Sequence, residues 1–235
     1  MMKFHLPNQS FVAGFVLTVV FAFSYECANP KHGDHHHSAD ANHHMHQKSV
    51  EELSANFDNP KRDEWQKPDV VLAMIASQIK NPRIWEIGAG SGYFSLRFPG
   101  KKWFTIASDP NPEFLAVINS KIKNLPSTEQ KLIQTQLTTY EKPGINNSSI
   151  NVVFSSNTYH HIENRTEYFQ EVKKSLPKNG ILVLVDFESG RKGDGPPESM
   201  RISSEQVVSE LKSSGFTKFQ IDTNSLPYQY IIIAR

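Results

Sequence analysis

The chain has 235 residues, a formal net charge of +1 at neutral pH and 38% apolar residues. This length accommodates one domain of roughly 180 residues with an N-terminal extension. The small net charge, without a run of Lys or Arg, does not indicate a nucleic-acid-binding surface. Because Cys27 is the one cysteine, an internal disulfide and a thiolate-based zinc site are both excluded.

The N-terminal residues 1–27 are predicted to be a signal peptide or a membrane or lipid anchor. Phe11–Phe23 is an uninterrupted, mostly apolar segment, which has the length of a signal-peptide core and is short for a membrane span. Three alternatives are open for this segment. Ala22-Phe23-Ser24 fits a signal peptide cleaved after Ser24, and Cys27 permits a lipoprotein, although the residues before it match a lipobox poorly. The third alternative is an uncleaved anchor. We therefore expect an exported or membrane-anchored protein of the periplasm or cell envelope, and a cytoplasmic one if the leader is not functional.

Residues 28–48 form a polar, histidine-rich tract without apolar periodicity. Imidazole groups in such tracts can bind zinc, copper or nickel weakly and with adaptable geometry. We interpret the tract as a flexible linker, with weak metal binding as a permitted addition. Its histidines are His32, His35, His36, His37, His43, His44 and His46.

The folded domain is expected to cover residues 49–235. Val50–Phe57 has the pattern of a short amphipathic helix, and a charged turn region follows it as far as Pro68. This segment before the sheet is expected either to cover the ligand site or form part of the substrate pocket, or to brace the surface through Trp65. Pro68 suits the first position of a helix, and Val70–Ile79 has helical apolar spacing. Asn81-Pro82 ends that helix and leads into the first strand.

A glycine-rich turn follows this first strand, Arg83–Ile87. Gly88, Gly90 and Gly92 alternate, and Tyr93–Phe98 then predicts a brief helix. Glycines between a buried strand and a helix let the backbone approach a ligand closely, because no Cβ intervenes. The helix N-terminus also offers unpaired N–H groups.

The second predicted strand, Lys102–Ser108, ends in Asp109-Pro110. In nucleotide-binding folds, an acid at this place, about 20 residues after the glycines, binds the ribose hydroxyls. A carboxylate can accept a hydrogen bond from both hydroxyls at once. The alternative role for Asp109 is the N-cap of the following helix, Glu113–Ile122, and the two roles can hold together.

A polar loop, Ser155–His161, follows the predicted fourth strand, Ile150–Phe154. Ligands of open α/β sheets bind at the carboxyl edge, where this loop lies. Tyr159, His160 and His161 are therefore candidates for substrate contact or for a general base. Two adjacent histidines point in different directions, so we expect at most one of them to face the pocket.

The remaining elements complete an α/β fold. We predict a Rossmann-like open sheet of seven mostly parallel strands, with a closing antiparallel hairpin and helices on both faces. The other predicted elements are the strand Lys131–Thr135, the helix Arg165–Leu176, the buried strand Ile181–Asp186, the Gly- and Pro-rich loop Phe187–Arg201, the helix Ser203–Ser214, and the strands Phe216–Asp222 and Tyr228–Ala234.

Together, these motifs resemble the class I S-adenosylmethionine-dependent methyltransferases over about residues 58–235. Glu86 followed by Gly88-x-Gly90-x-Gly92 is similar to motif I, and Ser155–His161 is similar to motif IV. Leu176-Pro177 with Gly180 resembles the family's approach to its fifth strand. Asn151 departs from the family, which usually has Asp there, and no adenine contact is assigned to Gln136, Thr138 or Thr139.

The resemblance implies S-adenosylmethionine as cofactor and methyl transfer to an O, N or C nucleophile of a small molecule. The sequence offers no constellation of carboxylates that would indicate metal-assisted transfer. In this family the acid before the turn helps to place the turn and the amino end of the cofactor. Asp186 is a further candidate for the proton acceptor. The predicted cofactor-binding residues are Glu86, Gly88, Gly90, Gly92, Tyr93, Asp109, Pro110 and Asn157, and the predicted catalytic residues are Tyr159, His160 and His161.

Two other functions stay open. One is a nicotinamide-dependent oxidoreductase, which the position of the third glycine and the closing hairpin disfavour. The other is a non-enzymatic cell-envelope protein that keeps the methyltransferase fold and binds a ligand or a metal.

Overall fold

The computed structural model describes Met1 and residues 47–235. The predicted signal peptide or anchor, apart from Met1, lies outside the described residues. The predicted histidine-rich linker also lies outside them, apart from its last two residues. Among residues 47–235, no helix is long and apolar enough to cross a bilayer.

Seven strands form one sheet in the order β3-β2-β1-β4-β5-β7-β6. The pairs β3–β2, β2–β1, β1–β4 and β4–β5 are parallel, whereas β7 runs antiparallel to both β5 and β6. The predicted fold class is therefore confirmed. The strands are β1 Arg83–Ile87, β2 Phe104–Asp109, β3 Ile133–Leu137, β4 Val152–Ser156, β5 Ile181–Phe187, β6 Phe219–Asp222 and β7 Gln229–Ala234.

Helices cover both faces of the sheet. Because side chains alternate along a strand, Ile84 and Trp85 of β1 belong to different cores. Helices α6 and α7 pack on the Trp85 face, and α3 packs on the Ile84 face. The α-helices are α1 Val50–Phe57, α2 Arg62–Gln66, α3 Pro68–Gln78, α4 Pro112–Ile122, α5 Ser127–Gln130, α6 Arg165–Ser175 and α7 Ser204–Ser213, and short 3₁₀ helices cover Pro99–Lys101, Tyr159–His161 and Glu198–Met200.

Local sequence signals account for several helix starts. Ser49 and Glu52 form a reciprocal capping box at the start of α1. Pro68 is the first residue of α3, where its missing N–H leaves no partner unsatisfied. Short helices without such signals, α2 and α5, are absent from the prediction.

The predicted helix over Tyr93–Phe98 is wrong. Consecutive turns occupy residues 90–98, and the 3₁₀ helix follows them. Only isolated helical bonds form, such as that from Leu96 N to Gly92 O at 3.0 Å. Pro99 and Gly100 end the segment before a regular helix is established.

The loop after β4 is held against α6 and α7. The Tyr159 ring lies 5.0 Å from that of Phe169, and its hydroxyl donates to Glu210 Oε2 at 2.5 Å. Arg165 Nε donates to the same oxygen at 2.7 Å, and the Arg165 side chain is fully buried. Glu210 thus joins the β4 loop to two helices through one carboxylate.

We expect Glu210→Gln to lower the free energy of unfolding by about 2 to 3 kcal/mol, because it leaves the buried guanidinium of Arg165 without its counter-charge. Glu205→Gln, on an exposed position of the same helix, is the control and should change it by less than about 0.5 kcal/mol. Urea unfolding measures both values, and equal effects would contradict the assignment.

Candidate functional site

A cavity of about 650 Å³ opens at the carboxyl edge of strands β1 to β5. It extends from the residues after β3 to the loop after β5, and the N-terminal helices α1 and α2 contribute to its wall. Nine of the predicted site residues line it, whereas Gly92 and Tyr159 do not. The nine are Glu86, Gly88, Gly90, Tyr93, Asp109, Pro110, Asn157, His160 and His161.

The glycine turn needs glycine for two reasons. Gly88, Gly90 and Gly92 have φ values of +68°, +53° and +88°, in the left-handed region that side chains disfavour. A Cβ on Gly88 would also lie 2.4 Å from the side chain of Thr158. Gly92 packs behind the wall, where a Cβ would lie 3.0 Å from Ile118. The turn therefore brings backbone to the cavity at Gly88 and Gly90.

Asp109 connects the turn to the end of β2. Its Oδ2 accepts from Gly90 N and its Oδ1 accepts from Asn111 N, both at 2.9 Å. Burial raises the pKa of Asp109, and these two backbone donors oppose that rise. The N-cap of α4 is Asn111, which accepts from Glu113 N, so the alternative N-cap role for Asp109 is wrong.

Glu86 is a buried acid at the base of the cavity, 3% exposed. Its carboxylate accepts from the hydroxyl of Ser95. Burial raises the pKa of Glu86 to about 8, while Ser95 and the nearby Arg62 act in the opposite direction. A ligand cation placed here would stabilise the ionised carboxylate.

Arg62, on α2, supplies a buried cation that sequence analysis missed. Its guanidinium carbon lies 3.8 Å from the centre of the Tyr93 ring, and its Nη1 donates to Phe57 O at 3.0 Å. Burial lowers the pKa of Arg62 to about 10, partly countered by Tyr93 and Glu86, so the group is charged at neutral pH. Burial and a bond to Asp63 raise the pKa of the Tyr93 phenol.

Asn157 lies in the wall with a left-handed backbone, φ +56°. Its Nδ2 donates to Gln66 Oε1 at 3.1 Å, and its Oδ1 accepts from Gln229 Nε2. Gln66 Nε2 donates to Gln229 Oε1 at 2.8 Å, which closes a ring of three amides. Arg62 Nε also donates to Gln66, so the network fixes both Arg62 and Asn157.

His160 and Asp186 form a buried pair at the other end of the cavity. His160 Nδ1 lies 2.9 and 3.1 Å from the two carboxylate oxygens of Asp186. If Nδ1 carries the proton and donates to this carboxylate, Nε2 is left as the acceptor nitrogen. The sequence prediction did not pair these residues, although it named both as candidates.

The two histidines differ in environment. Their rings lie 4.3 Å apart, and both line the cavity, contrary to the expectation that at most one would face it. Burial, together with the neighbouring His160, lowers the pKa of His161 well below its usual value. A strongly depressed pKa makes His161 a weak base.

Aromatic side chains line both ends of the cavity. Phe57 of α1 and Phe114 of α4 lie 5.8 Å apart, and both line the cavity. Trp65 and Phe187 lie 5.5 Å apart, and they line the cavity as His160 does. Sequence analysis left the role of the segment with Trp65 open and did not assign the aromatic contacts, because aromatic residues in a charged turn or at a strand end carry no specific motif. Among residues 47–235, no group of three or more His, Cys, Asp or Glu side chains is arranged to hold a metal ion.

Comparison with known proteins assigns this architecture. Residues 85–184 match the family model described as methyltransferase domain. A S-adenosylmethionine-dependent methyltransferase from Aquifex aeolicus superposes with a TM-score of 0.69 at 18% identity, over 80% of this chain and 98% of that one. Residues 85–184 therefore match a methyltransferase domain, and the fold around them is that of S-adenosylmethionine-dependent methyltransferases.

Other similar proteins match a smaller share of this chain. The methyltransferase domain also superposes on the glycopeptide N-methyltransferase MtfA, in complex with S-adenosylmethionine, with a TM-score of 0.60 at 14% identity, over 72% of this chain and 86% of that one. The tRNA U34 carboxymethyltransferases of Aeromonas hydrophila and Aliivibrio salmonicida are 28% and 29% identical over 130 residues, or 55% of this chain. The chain matches 38% and 39% of their lengths.

We expect Gly88→Ala to lower the free energy of unfolding of the methyltransferase domain by about 2 kcal/mol or more, because the methyl group meets Thr158 and the backbone is left-handed. Gly100→Ala is the control, since a Cβ there has no heavy atom within 4 Å. Urea unfolding should show less than about 0.5 kcal/mol for the control. An equal loss in both variants would contradict the close approach at Gly88.

The stability of the unliganded protein should fall as pH rises towards 8, because of Glu86. The folded state holds a proton on Glu86 up to about pH 8, whereas an unfolded glutamate loses it near about 4.3. The stabilising contribution of Glu86 is therefore fully present below about pH 4.3. It is lost as the pH rises to about 8, by at most about 1.4 kcal/mol per pH unit. In Glu86→Gln this slope should be missing. Parallel wild-type and variant curves in urea unfolding would show that Glu86 is already ionised.

Proposed function

We propose that this protein transfers a methyl group from S-adenosylmethionine to a nucleophile on a small molecule. One observation carries the proposal: two walls with different chemistry line a single cavity. One wall has backbone glycines and buried charges suited to the cofactor. The other has a histidine–aspartate pair suited to removing a proton. The cavity volume lies in the range of about 300 to 1,000 Å³ that is typical of small-molecule sites.

The residues present fit the cofactor group by group. The carboxylate of Asp109 is suited to the ribose hydroxyls, beside the Gly90 backbone that it already holds. Glu86 offers a negative charge to the amino group of the methionine part, and Arg62 offers a positive charge to its carboxylate. Phe57 and Phe114 provide apolar contact for the adenine.

Glu86 and Arg62 are also groups whose charged forms a ligand would stabilise. Both groups are buried, and burial acts against the charged form of each. A zwitterionic ligand end supplies a partner of opposite sign to both. The proposed cofactor thus relieves an electrostatic cost that the unliganded protein bears.

When bound, the cofactor supplies an activated methyl group on a sulfonium. The chain's own residues then align the acceptor and exclude water. His160 accepts a proton from the acceptor at Nε2, while Asp186 holds the ring through Nδ1. His161 stays neutral next to it. Tyr159, whose hydroxyl is bound to Glu210, is left out of the proposed catalytic set.

Calorimetric titration of the full chain with S-adenosylhomocysteine tests the cofactor site, with NAD as the control ligand. We expect binding of the homocysteine compound alone. Asp109→Asn should weaken it on the order of 30-fold, because a charge-assisted hydrogen bond is lost. Folded wild-type protein that binds neither ligand would contradict the proposed function and favour a non-enzymatic envelope protein.

Arg62→Met gives a sharper test of the predicted ligand orientation. It should weaken S-adenosylhomocysteine on the order of 30-fold but leave methylthioadenosine, which lacks the amino-acid end, nearly unchanged. Arg97→Met is the matched control: Arg97 also lies over the Tyr93 ring, at 3.9 Å, but is not part of the cavity wall. Equal weakening of both ligands by Arg62→Met would place Arg62 away from the carboxylate.

A further inference from the structure

We propose that the methyl acceptor is a planar aromatic compound with a hydroxyl group on its ring, and that its hydroxyl proton passes to Nε2 of His160. This inference rests on the proposed methyltransferase function and adds the substrate class. It is carried by an aromatic wall, formed by the two rings of Trp65 and Phe187, and by His160, all of which line the same cavity.

The acceptor end of the cavity has two aromatic rings at its surface. Trp65 and Phe187 lie 5.5 Å apart at an interplanar angle of 44°, and Trp65 is half-buried. Apolar side chains of Ile162, Pro196 and Met200 also line the cavity. Flat apolar rings are favourable partners for an aromatic ligand.

The loop after β5 keeps this wall in place. Phe187 packs against Gly195 so closely that a Cβ there would lie 2.3 Å from the ring. Arg201 donates to the carbonyl of Pro196 at 2.9 Å, and its guanidinium carbon lies 5.4 Å from the Phe187 ring. The aromatic wall is thus part of a packed unit and its shape is set before an acceptor enters.

The base and the aromatic wall share one strand end. Phe187 follows Asp186 directly, and its N–H donates to Asp186 Oδ1 at 2.7 Å. The same carboxylate holds His160 Nδ1 at 2.9 Å. The Phe187 ring and the imidazole that Asp186 orients both line the cavity, so an aromatic acceptor inside it can contact both.

A hydroxyl is the methyl-accepting group that best fits a cavity with a histidine base and an aromatic wall. A neutral amine already has its lone pair and needs no base before attack, whereas a phenolic hydroxyl becomes a strong nucleophile as it loses its proton. A carboxylate acceptor would need a cation, and Arg62 is assigned to the cofactor. In the step, the oxygen–methyl bond forms as the sulfur–methyl bond breaks. The bonding pair stays on sulfur, and the proton goes to His160 Nε2.

The test follows S-adenosylmethionine consumption by the full chain with naphthol, naphthylamine, naphthoate and purified tRNA as acceptors. We expect naphthol to be methylated and the other three not. His160→Asn should lower kcat for naphthol on the order of 10²-fold, the usual share of a general base. With para-nitrophenol at mildly alkaline pH, where this phenol is already ionised, the same variant should lose only a few-fold.

Trp65→Leu should raise KM for naphthol about 5- to 10-fold with little change in kcat, because it removes ring contact and leaves the base intact. Trp103→Leu is the matched control, since Trp103 stacks on Phe98 away from the cavity. Retained binding of S-adenosylhomocysteine shows by calorimetry that each variant is folded.

The outcomes separate this inference from the proposed function. Methylation of tRNA or of the amine alone, with S-adenosylhomocysteine bound normally, would overturn the inference and leave the methyltransferase function standing. Equal losses of His160→Asn with both phenols would also overturn it, because the base would then have a merely structural role. Failure of wild-type protein to bind S-adenosylhomocysteine would remove both.

Discussion

The parallel alignment of strands β1 to β5 is the constraint on which the site depends. Because the strands run in one direction, their carboxyl ends meet at one edge, and residues far apart in the chain become neighbours there. The hydrogen bond from Gly90 N to Asp109 Oδ2 fixes the relation between the first two of these ends. Thr158, packed against Gly88, fixes the relation between the first and the fourth. The cavity is therefore defined by backbone packing before any ligand enters it.

Electrostatic strain concentrates at the same edge. Glu86, Asp109 and Arg62 are all buried, and burial opposes the charged form of each. Hydrogen bonds from Ser95 and from backbone amides offset part of this cost. Perturbed titratable groups that converge on a cavity are characteristic of functional sites, because a ligand supplies the partners that the fold withholds.

The acceptor side follows a different logic, in which the groups are apolar or already paired. Asp186 accepts from the backbone of Phe187 and also holds His160, so one carboxylate connects the wall that would hold a ring with the base that would take its proton. Tyr159, next in sequence to His160, points away and anchors the loop on Glu210. Adjacent residues of one short 3₁₀ helix thus have separate duties, one in packing and one at the cavity.

The sequence by itself determined the strand–helix alternation, the glycine turn, the acid at the end of β2 and the polar loop after β4, because each depends on local pattern or backbone conformation. Strand limits were less certain: Asp109 belongs to β2 because its partner strand β3 extends to Leu137, which no local pattern shows. Only the tertiary structure decided that Arg62 and Trp65, in a charged segment before the sheet, reach the cavity. It also decided that His160 rather than Tyr159 faces it. These placements depend on long-range packing, in particular on the amide contacts among Gln66, Asn157 and Gln229, and such contacts leave no periodic signal in the sequence.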